Sequence, residues 1–273
     1  MDETHRFQSR GRAAETPSGP HVVDVFVLAS DPLVELWLQQ MNADARSLQP
    51  YYGEGKPRPD SYREMVDAIF SEVRAGRRVC GAFYGHPGVF AKVPHDALAR
   101  AREEGFEACM EPGISAEDCL YADLGIDPGR FGCQHYEASQ LLFYRRRIDP
   151  SAYLVLWQAG LVGDRSYRRF TTGAAHRHLL VERLLQDYPA EHGITIYEAA
   201  TLPIMTPRME TIALRDLTDS EVHPHSTVVL PPAQPMARDD VILARLEALE
   251  HSLATGAMAS VCSIQHFPTT AEV

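Results

Sequence analysis

Short apolar runs alternate along this chain with longer stretches in which apolar residues recur at helical spacing. Residues 22–28 are mostly β-branched and apolar over the length of a strand, and Ser30-Asp31-Pro32 then supplies a capping residue followed by proline, which is typical of a helix start. A second unit follows, with a helix predicted from Asp60 to Gly76 and a short buried strand over 79–84. Strands separated by helices of this length predict a mainly parallel sheet with helices on its faces.

The alternation of predicted strands and helices continues through the rest of the chain, and the sequence pattern changes after residue 147. Ser115-Ala116-Glu117-Asp118 matches a capping box that begins a helix. The other predicted elements are helices over 94–104, 178–186 and 241–249 and strands over 106–110, 153–157, 194–198, 211–214 and 227–230. We therefore predict an α/β protein with a disordered tail over 1–20, a first α/β domain over 21–147 and a second α/β domain over 148–273.

Composition and charge narrow the classes of partner. Hydrophobic residues make up 45% of the 273 residues and charged residues 23%, which is typical of a globular protein. The formal net charge of −11 argues against binding to nucleic acid or to an anionic membrane, and no apolar stretch is long enough to cross a bilayer. The first residues lack the apolar centre of a secretory signal, and the five cysteines lack paired spacing. We therefore expect a cytoplasmic protein with reduced thiols.

Three turns rich in glycine and proline follow predicted strands, at 84–90, 111–118 and 158–163. Open parallel sheets bind their ligands at the carboxyl ends of the strands, where glycine lets the backbone approach a ligand closely. Ser115 would in addition lie at a helix N-terminus, whose N–H groups favour anionic groups. Any one of these segments alone is more simply explained as a plain turn. The three together in a two-domain α/β chain predict a ligand-binding cleft.

A loop over 51–62 brings two phenols and a guanidinium close together in sequence. Tyr52, Arg58 and Tyr62 lie in a segment that is rich in glycine and proline and enters a helix. A permanently cationic arginine can hydrogen-bond a carbonyl oxygen, and a tyrosine near a cation can shift toward its phenolate. Together they could act as a base and an electrophile. The alternative interpretation is that Tyr62 is the first core residue of its helix and Arg58 a surface cation.

Several of these segments together resemble a known family. The residues that carry the resemblance are 51–62, 84–90 (YGHPGVF), 112–120 (PGISAEDCL), 122–124 (ADL), 126–128 (IDP), 132–133 (GC) and 136–138 (YEA). They are similar to the tetrapyrrole methylase superfamily and, within it, to the borosin peptide backbone α-N-methyltransferases, over about residues 22–247. His86 stands where most of the superfamily has an acidic residue, which favours the borosin branch.

The resemblance implies S-adenosylmethionine (SAM) in the cleft between the two domains and methyl transfer to backbone amide nitrogens. It makes Tyr52, Arg58 and Tyr62 the catalytic residues, with Arg58 on the imidate oxygen and Tyr52 or Tyr62 taking the amide proton. Gln49 stands where the family has a further tyrosine. The positions that match cofactor-binding residues of the family are Tyr84, His86, Val89, Phe90, Ser115, Ala116, Gln158, Ala200, Leu202, Ser226 and Thr227.

The sequence also departs from the family pattern. The superfamily opens with a strand and a Gly-rich loop ahead of the strand matched by residues 22–29. Residues 1–20 contain only the isolated Gly11 and Gly19, so we expect a first sheet that lacks this strand and loop. No methylatable core peptide follows Leu249, which predicts a separate precursor peptide as the substrate. The family further implies a homodimer.

Two other functions stay open. The same fold could methylate a corrinoid or another small molecule, or it could bind a peptide or partner protein without turnover, an interpretation that the missing loop favours. The pairs His176/His178 and His223/His225 have a spacing found in metal sites, but no third ligand accompanies them in the sequence. We therefore expect no metal.

Overall fold

A computed structural model describes residues 5–8, 24–29 and 31–254 of the chain. Five strands form the first sheet: β1 (His5–Gln8), β2 (Asp24–Leu28), β3 (Arg46–Ser47), β4 (Val79–Phe83) and β5 (Glu107–Ala108). Their order across the sheet is β3-β2-β4-β1-β5. β2 is parallel to β3 and β4, in line with the alternating pattern, whereas β1 pairs antiparallel with β4 and β5.

The strand β1 differs from the tail predicted over residues 1–20. Its residues satisfy backbone N–H and C=O groups along β4, which would otherwise have a partner on the β2 side alone. A segment without apolar periodicity can therefore still complete a sheet through its backbone. The other residues of the predicted tail lie outside the described residues.

Three helices accompany the first sheet: α1 (Pro32–Met41), α2 (Arg58–Arg74) and α3 (Lys92–Glu104). Met65, Ile69 and Phe70 recur at helical spacing along α2 and are fully buried in the core of this sheet. The helix α2 begins at Arg58, earlier than the predicted start at Asp60, because Pro57 takes the extended capping conformation. As a result, Arg58 lies at the very start of a helix.

Five strands form the second sheet: β6 (Cys133–Glu137), β7 (Tyr153–Trp157), β8 (Gly193–Glu198), β9 (Arg208–Ala213) and β10 (Thr227–Leu230). Their order is β6-β7-β10-β8-β9. β6 and β7 are parallel, and the other neighbouring pairs are antiparallel. The second sheet begins before the predicted domain boundary, because β6 already belongs to it. The division at residues 147 and 148 stays a prediction.

The helices that follow the first sheet are α4 (Ala116–Leu124), α5 (Pro128–Phe131), α6 (Gln140–Phe143) and α7 (Ala174–Leu184). The capping box predicted at the start of α4 is present: Ser115 Oγ accepts from the Asp118 N–H, and the Asp118 carboxylate accepts from the Ser115 N–H. Leu180 and Leu184 of α7 are fully buried in the core of the second sheet.

Both sheets belong to one compact unit, Met1–Gln234, and Pro235–Val273 forms another. The second unit contains α8 (Asp240–Ala254), at the position of the helix predicted over 241–249. None of the described helices is long and apolar enough to span a membrane. No disulfide joins the described cysteines, and Cys262 lies outside the described residues.

Candidate active site

Arg58 is held between the start of α2 and a loop that follows β7. Its backbone N–H donates to the Tyr167 carbonyl at 2.8 Å, and its Nη1 donates to the Arg169 carbonyl at 3.2 Å. Its Nη2 lies 3.8 Å from Oδ2 of Asp164, and only 19% of its side chain is exposed. Arg58 is therefore a positioned guanidinium rather than a solvated surface cation.

Asp164 supplies the negative charge beside Arg58 and organises the loop around it. Its carboxylate accepts hydrogen bonds from the N–H and hydroxyl of Ser166 and from the Arg169 N–H. Burial raises the pKa of Asp164, but these hydrogen bonds and the charge of Arg58 outweigh it, so the pKa lies below its ordinary value. The carboxylate is thus ionised at neutral pH.

Tyr167 lies on the same loop and was not singled out from the sequence. Its φ of +55° is uncommon for a residue other than glycine, and its ring centroid lies 5.9 Å from the Arg58 guanidinium. The signal that could have drawn attention to this loop is the clustering of arginines around an aromatic residue over 165–169.

Tyr52 and Tyr62 lie against each other, with ring centroids 6.1 Å apart and ring planes nearly perpendicular. Both are half-buried against the core of the first sheet. Burial is the main cause that raises the pKa of Tyr52; Tyr62 and Tyr84 add to it, and the charge of Arg58 lowers it by less. The expected shift toward a phenolate is therefore wrong for Tyr52, because burial outweighs the nearby cation.

The turns after β4 and β7 meet through two aromatic rings. Tyr84 and Phe90 in the first turn are 58% and 50% exposed, and the Phe90 ring lies 5.4 Å from that of Trp157 at the end of β7. Phe90 has a φ of +50° and Gln158 a φ of +56°. Left-handed conformations of such residues cluster at binding and catalytic sites. The structure thus brings the first and third predicted turns together.

The turn before α4 joins the same place. A Cβ atom on Gly85 would lie 3.7 Å from the Ile114 carbonyl oxygen. Hydrogen bonds from Ser115 are the main cause that lowers the pKa of Asp118, and the charge of His86 contributes, so His86 lies near the start of α4. All three predicted turns are therefore neighbours.

Gly160 packs the third turn against the segment before β10. A Cβ atom on Gly160 would lie 2.2 Å from the His223 carbonyl oxygen, so only glycine fits there. The Ala159 N–H donates to the Ser226 carbonyl at 2.9 Å. Ser226 and Thr227 are buried, and this contact brings them beside the third turn.

The predicted cofactor positions therefore fall into two groups. Those in the three turns and at the start of β10 are neighbours. Ala200 and Leu202 follow the end of β8, where Ala200 is exposed and Leu202 half-buried. Binding of a cofactor by either group stays a prediction.

A network at the end of β8 was missed by the sequence analysis. Glu198 accepts hydrogen bonds from the Ser226 hydroxyl at 2.5 Å and from Arg208 at 3.0 Å, and it also contacts His223 and His225 at 2.8 and 3.3 Å. The ligand atoms of Glu198 and the two histidines lie within 4.8 Å of one another, a spacing that a divalent cation could use. Because Arg208 already neutralises this carboxylate, the geometry favours a hydrogen-bonded network over a cation site.

A second missed network links α4 to β7. The Trp157 Nε1–H donates to Nδ1 of His135 at 3.1 Å, Nε2 of His135 lies 2.8 Å from the Tyr121 hydroxyl, and that hydroxyl donates to Glu117 at 3.0 Å. Because Nδ1 accepts, the proton of the neutral imidazole lies on Nε2 and is donated to Tyr121. The chain of bonds connects the helix after Ser115 with the strand before Gln158.

A cavity of about 500 Å³ lies beside α1, and its lining includes Gln49 and Pro50. Gln49 Nε2 donates to the Ala29 carbonyl at 2.8 Å. None of the three predicted catalytic residues lines this cavity. Gln49, where the resemblance implies a tyrosine, thus lines the α1 cavity.

These features agree with comparisons to known proteins. The chain belongs to the tetrapyrrole (corrin/porphyrin) methylase family, whose sequence profile matches residues 22–217. A solved structure of uroporphyrin-III C-methyltransferase from Thermus thermophilus, complexed with S-adenosyl homocysteine, has a TM-score of 0.50 at 16% identity and covers 77% of this chain and 80% of that one. The predicted α/β fold of tetrapyrrole methylase type is confirmed.

The borosin resemblance is confirmed as well. The chain is 40% identical over 229 residues to a methyltransferase/ribosomally synthesized cyclic peptide gymnopeptides precursor from Gymnopus fusipes, covering 82% of this chain and 54% of that protein. It is 43% identical over 220 residues to a methyltransferase/ribosomally synthesized type I borosin cyclic peptide precursor from Mycena rosella, covering 79% and 55%. The chain therefore spans about half the length of the curated relatives it matches.

Proposed function

We propose that this chain is a SAM-dependent methyltransferase that acts on backbone amide nitrogens of a separate precursor peptide. The observation that carries the proposal is the position of Arg58, which is fixed by the loop after β7 and acts electrostatically on Tyr52. It occurs in a chain 40% identical to a protein described as a methyltransferase and cyclic peptide precursor.

The chemistry of an amide explains why these residue types are needed. An amide nitrogen is a poor nucleophile because its lone pair is delocalised into the carbonyl, so it must lose its proton while negative charge develops on the oxygen. Arg58 uses Nη1 to hold the Arg169 carbonyl, and the guanidinium has five N–H donors in total. The remaining donors can bind the amide oxygen and stabilise the imidate.

The two tyrosines divide the proton-transfer role. Burial is the main cause that raises the pKa of Tyr52, so Tyr52 keeps its proton at neutral pH and is the poorer base of the two. In this proposal Tyr62 takes the amide proton, and Tyr52, whose ring packs edge-on against it, positions it.

The three neighbouring turns fit SAM, which would supply an electrophilic methyl group. Exposed Tyr84 and Phe90 offer aromatic faces, and Gly85 has no side chain to keep a ligand from the backbone. Ser115 and Ala116 begin α4. The proposal assigns cofactor binding to the eleven positions that match the family, and it takes the enzyme to be a cytoplasmic homodimer.

The test is a methylation assay with a separate peptide. The purified protein is incubated with SAM and a short peptide that has an apolar tail, and tandem mass spectrometry follows added CH2 units and locates them. Units on backbone nitrogens support the proposal. Transfer to a corrinoid but to no peptide would favour the small-molecule function, and calorimetry that detects no SAM binding would favour a binding module without turnover.

A further inference from the structure

Three arginines on the loop that holds Arg58 have no charge partner. Arg165, Arg168 and Arg169 are exposed, and among the described residues no ion pair or hydrogen bond involves their guanidinium groups. In contrast, exposed arginines such as Arg74 are engaged with carboxylates. Arg145 and Arg147 on another segment are also exposed without an ion pair among the described residues, so what distinguishes the three arginines is their place beside Arg58.

This arginine loop (residues 164–170) lies directly against the segment that carries Arg58. The Gly55 N–H donates to the Arg168 carbonyl at 3.2 Å, next to the bond from the Arg58 N–H to the Tyr167 carbonyl. Glu54 in that segment is exposed, and Asp164 of the loop is paired with Arg58, so the three exposed arginines outnumber the one nearby carboxylate that has no cation beside it among the described residues. Anything bound to the arginines therefore lies beside the candidate catalytic residues.

The loop also has the residue types and the fixed backbone conformation that are typical of a binding surface. Tyr167 and Phe170 are 49% and 43% exposed. Asp164 fixes the backbone through its bonds to Ser166 and Arg169. Arginine and aromatic side chains dominate the binding energy of protein interfaces, and a loop ordered in advance loses little entropy on binding.

We propose that the arginine loop binds an acidic segment of the peptide substrate, next to the residues that are methylated. This inference rests on the proposed peptide methylation. Every residue presents the same backbone amide, so the reacting group itself offers little for recognition, and affinity has to come from elsewhere on the peptide. Guanidiniums bind carboxylates with paired hydrogen bonds, and several of them together would steer an acidic segment to the site.

The experiment measures binding of three fluorescein-labelled peptides by fluorescence anisotropy with saturating S-adenosylhomocysteine. The peptides share an apolar centre of valine and glycine and differ in flanks of glutamate, serine or lysine. We expect the glutamate-flanked peptide to bind about tenfold more tightly than the serine-flanked one at low salt, and to lose most of that advantage at high salt.

Two double variants with the same change in charge test whether the preference for the glutamate flank comes from the arginine loop. Arg165→Glu/Arg168→Glu should remove the advantage of the glutamate flank, whereas Arg145→Glu/Arg147→Glu makes the same change in net charge on another exposed segment and should keep it. Neither pair alters the backbone groups that hold Arg58. Equal binding of the glutamate and serine peptides, equal loss in both variants, or tighter binding of an oligothymidylate probe would overturn the inference.

The same peptides separate this inference from the proposed function. If serine- and glutamate-flanked peptides gain CH2 units with equal KM, docking by the arginine loop is wrong and peptide methylation stands. If the glutamate-flanked peptide binds through the arginines and no peptide gains a CH2 unit, docking stands and the proposed reaction is wrong.

Discussion

At the scale of single residues, Arg58 obtains its geometry from a loop more than a hundred positions away in the chain. The sequence places it between Tyr52 and Tyr62, which allows both a catalytic and a surface role. Its contacts with Asp164 and the Arg169 carbonyl argue against a solvated surface role, because a guanidinium bound on two sides has a fixed direction, and the catalytic role stays a prediction.

Replacing Arg58 tests whether the orientation of its guanidinium matters as well as its positive charge. Arg58→Lys keeps the positive charge but loses the fork of donors, so we expect kcat to fall by about a hundredfold while the calorimetric affinity for SAM changes little. Arg63→Lys on the same helix, an exposed residue paired with Asp60, is the control and should keep its activity. A parallel loss of SAM affinity in Arg58→Lys would place this residue in the cofactor site instead.

Tyr62→Phe removes the proposed proton acceptor without changing the packing of the ring. We expect methyl transfer to fall by at least about a thousandfold, whereas Tyr52→Phe should lower it less, because Tyr52 acts through Tyr62. Single-turnover mass spectrometry measures both, with Tyr144→Phe, an exposed tyrosine, as the control. A larger loss in Tyr52→Phe than in Tyr62→Phe would reverse the assignment.

Gly160 lies where any side chain beyond hydrogen would have no room. In Gly160→Ala the new Cβ atom would meet the backbone of His223, so the variant should lose about 2–3 kcal/mol of unfolding free energy. Gly173→Ala is the matched control, since nothing lies within 4 Å of a Cβ atom there. Urea denaturation measures both; equal stabilities would mean that the turn and the loop before β10 separate easily.

At the scale of elements, hydrogen bonds between side chains hold α4 and β7 in a fixed relation. The bonds from Trp157 through His135 and Tyr121 to Glu117 cross from the strand to the helix. Because α4 and β7 each carry predicted cofactor residues at one end, this network positions two parts of one candidate site.

Tyr121→Phe interrupts that network and leaves Nε2–H of His135 without its acceptor. We expect a loss of about 1–2 kcal/mol of unfolding free energy and a severalfold rise in the KM for SAM with little change in kcat. Tyr153→Phe on β7 is the control, because its hydroxyl makes no described hydrogen bond. An unchanged KM would show that the network stabilises the fold without positioning the turns.

At the scale of the whole molecule, the network around Glu198 makes stability depend on pH. Burial raises the pKa of Glu198, but hydrogen bonds from Ser226, His223 and Arg208 outweigh it and lower the pKa from 4.5 to about 2. The hydrogen bond to Glu198 is the main cause that raises the pKa of His223 above 6.5. Both shifts favour the ion pair in the folded state.

The two groups act on opposite limbs of the stability curve. The contribution of Glu198 is fully present above pH 4.5 and is lost as the pH falls toward about 2, whereas that of His223 is present below pH 6.5 and is lost as the pH rises through its folded pKa. Thermal melting from pH 2 to 8 should therefore show a weaker acid limb for Glu198→Gln than for the wild type, whereas Glu103→Gln, an exposed residue of α3, should keep it. Parallel curves for all three proteins would contradict this account.

Much of the local structure could be predicted from particular residues. The apolar run before Asp31-Pro32 and the spacing of Met65, Ile69 and Phe70 indicate β2, α1 and α2, and Ser115 with Asp118 marks the start of α4. The turns after the strands and the segment around Tyr52 and Tyr62 could be singled out in the same way. Each of these signals lies in residues that are close together in sequence.

The sequence by itself thus determined the alternation of strands and helices, the family and the residue types of the candidate site, because backbone preference and hydrophobic period act over neighbouring residues. Only the tertiary structure decided that Asp164 faces Arg58, that β1 pairs with β4, and that Glu198 meets His223. Those contacts depend on how strands and loops far apart in the chain are brought together. Burial of Tyr52, which also depends on the tertiary structure, raises its pKa, whereas the sequence predicted a shift toward the phenolate.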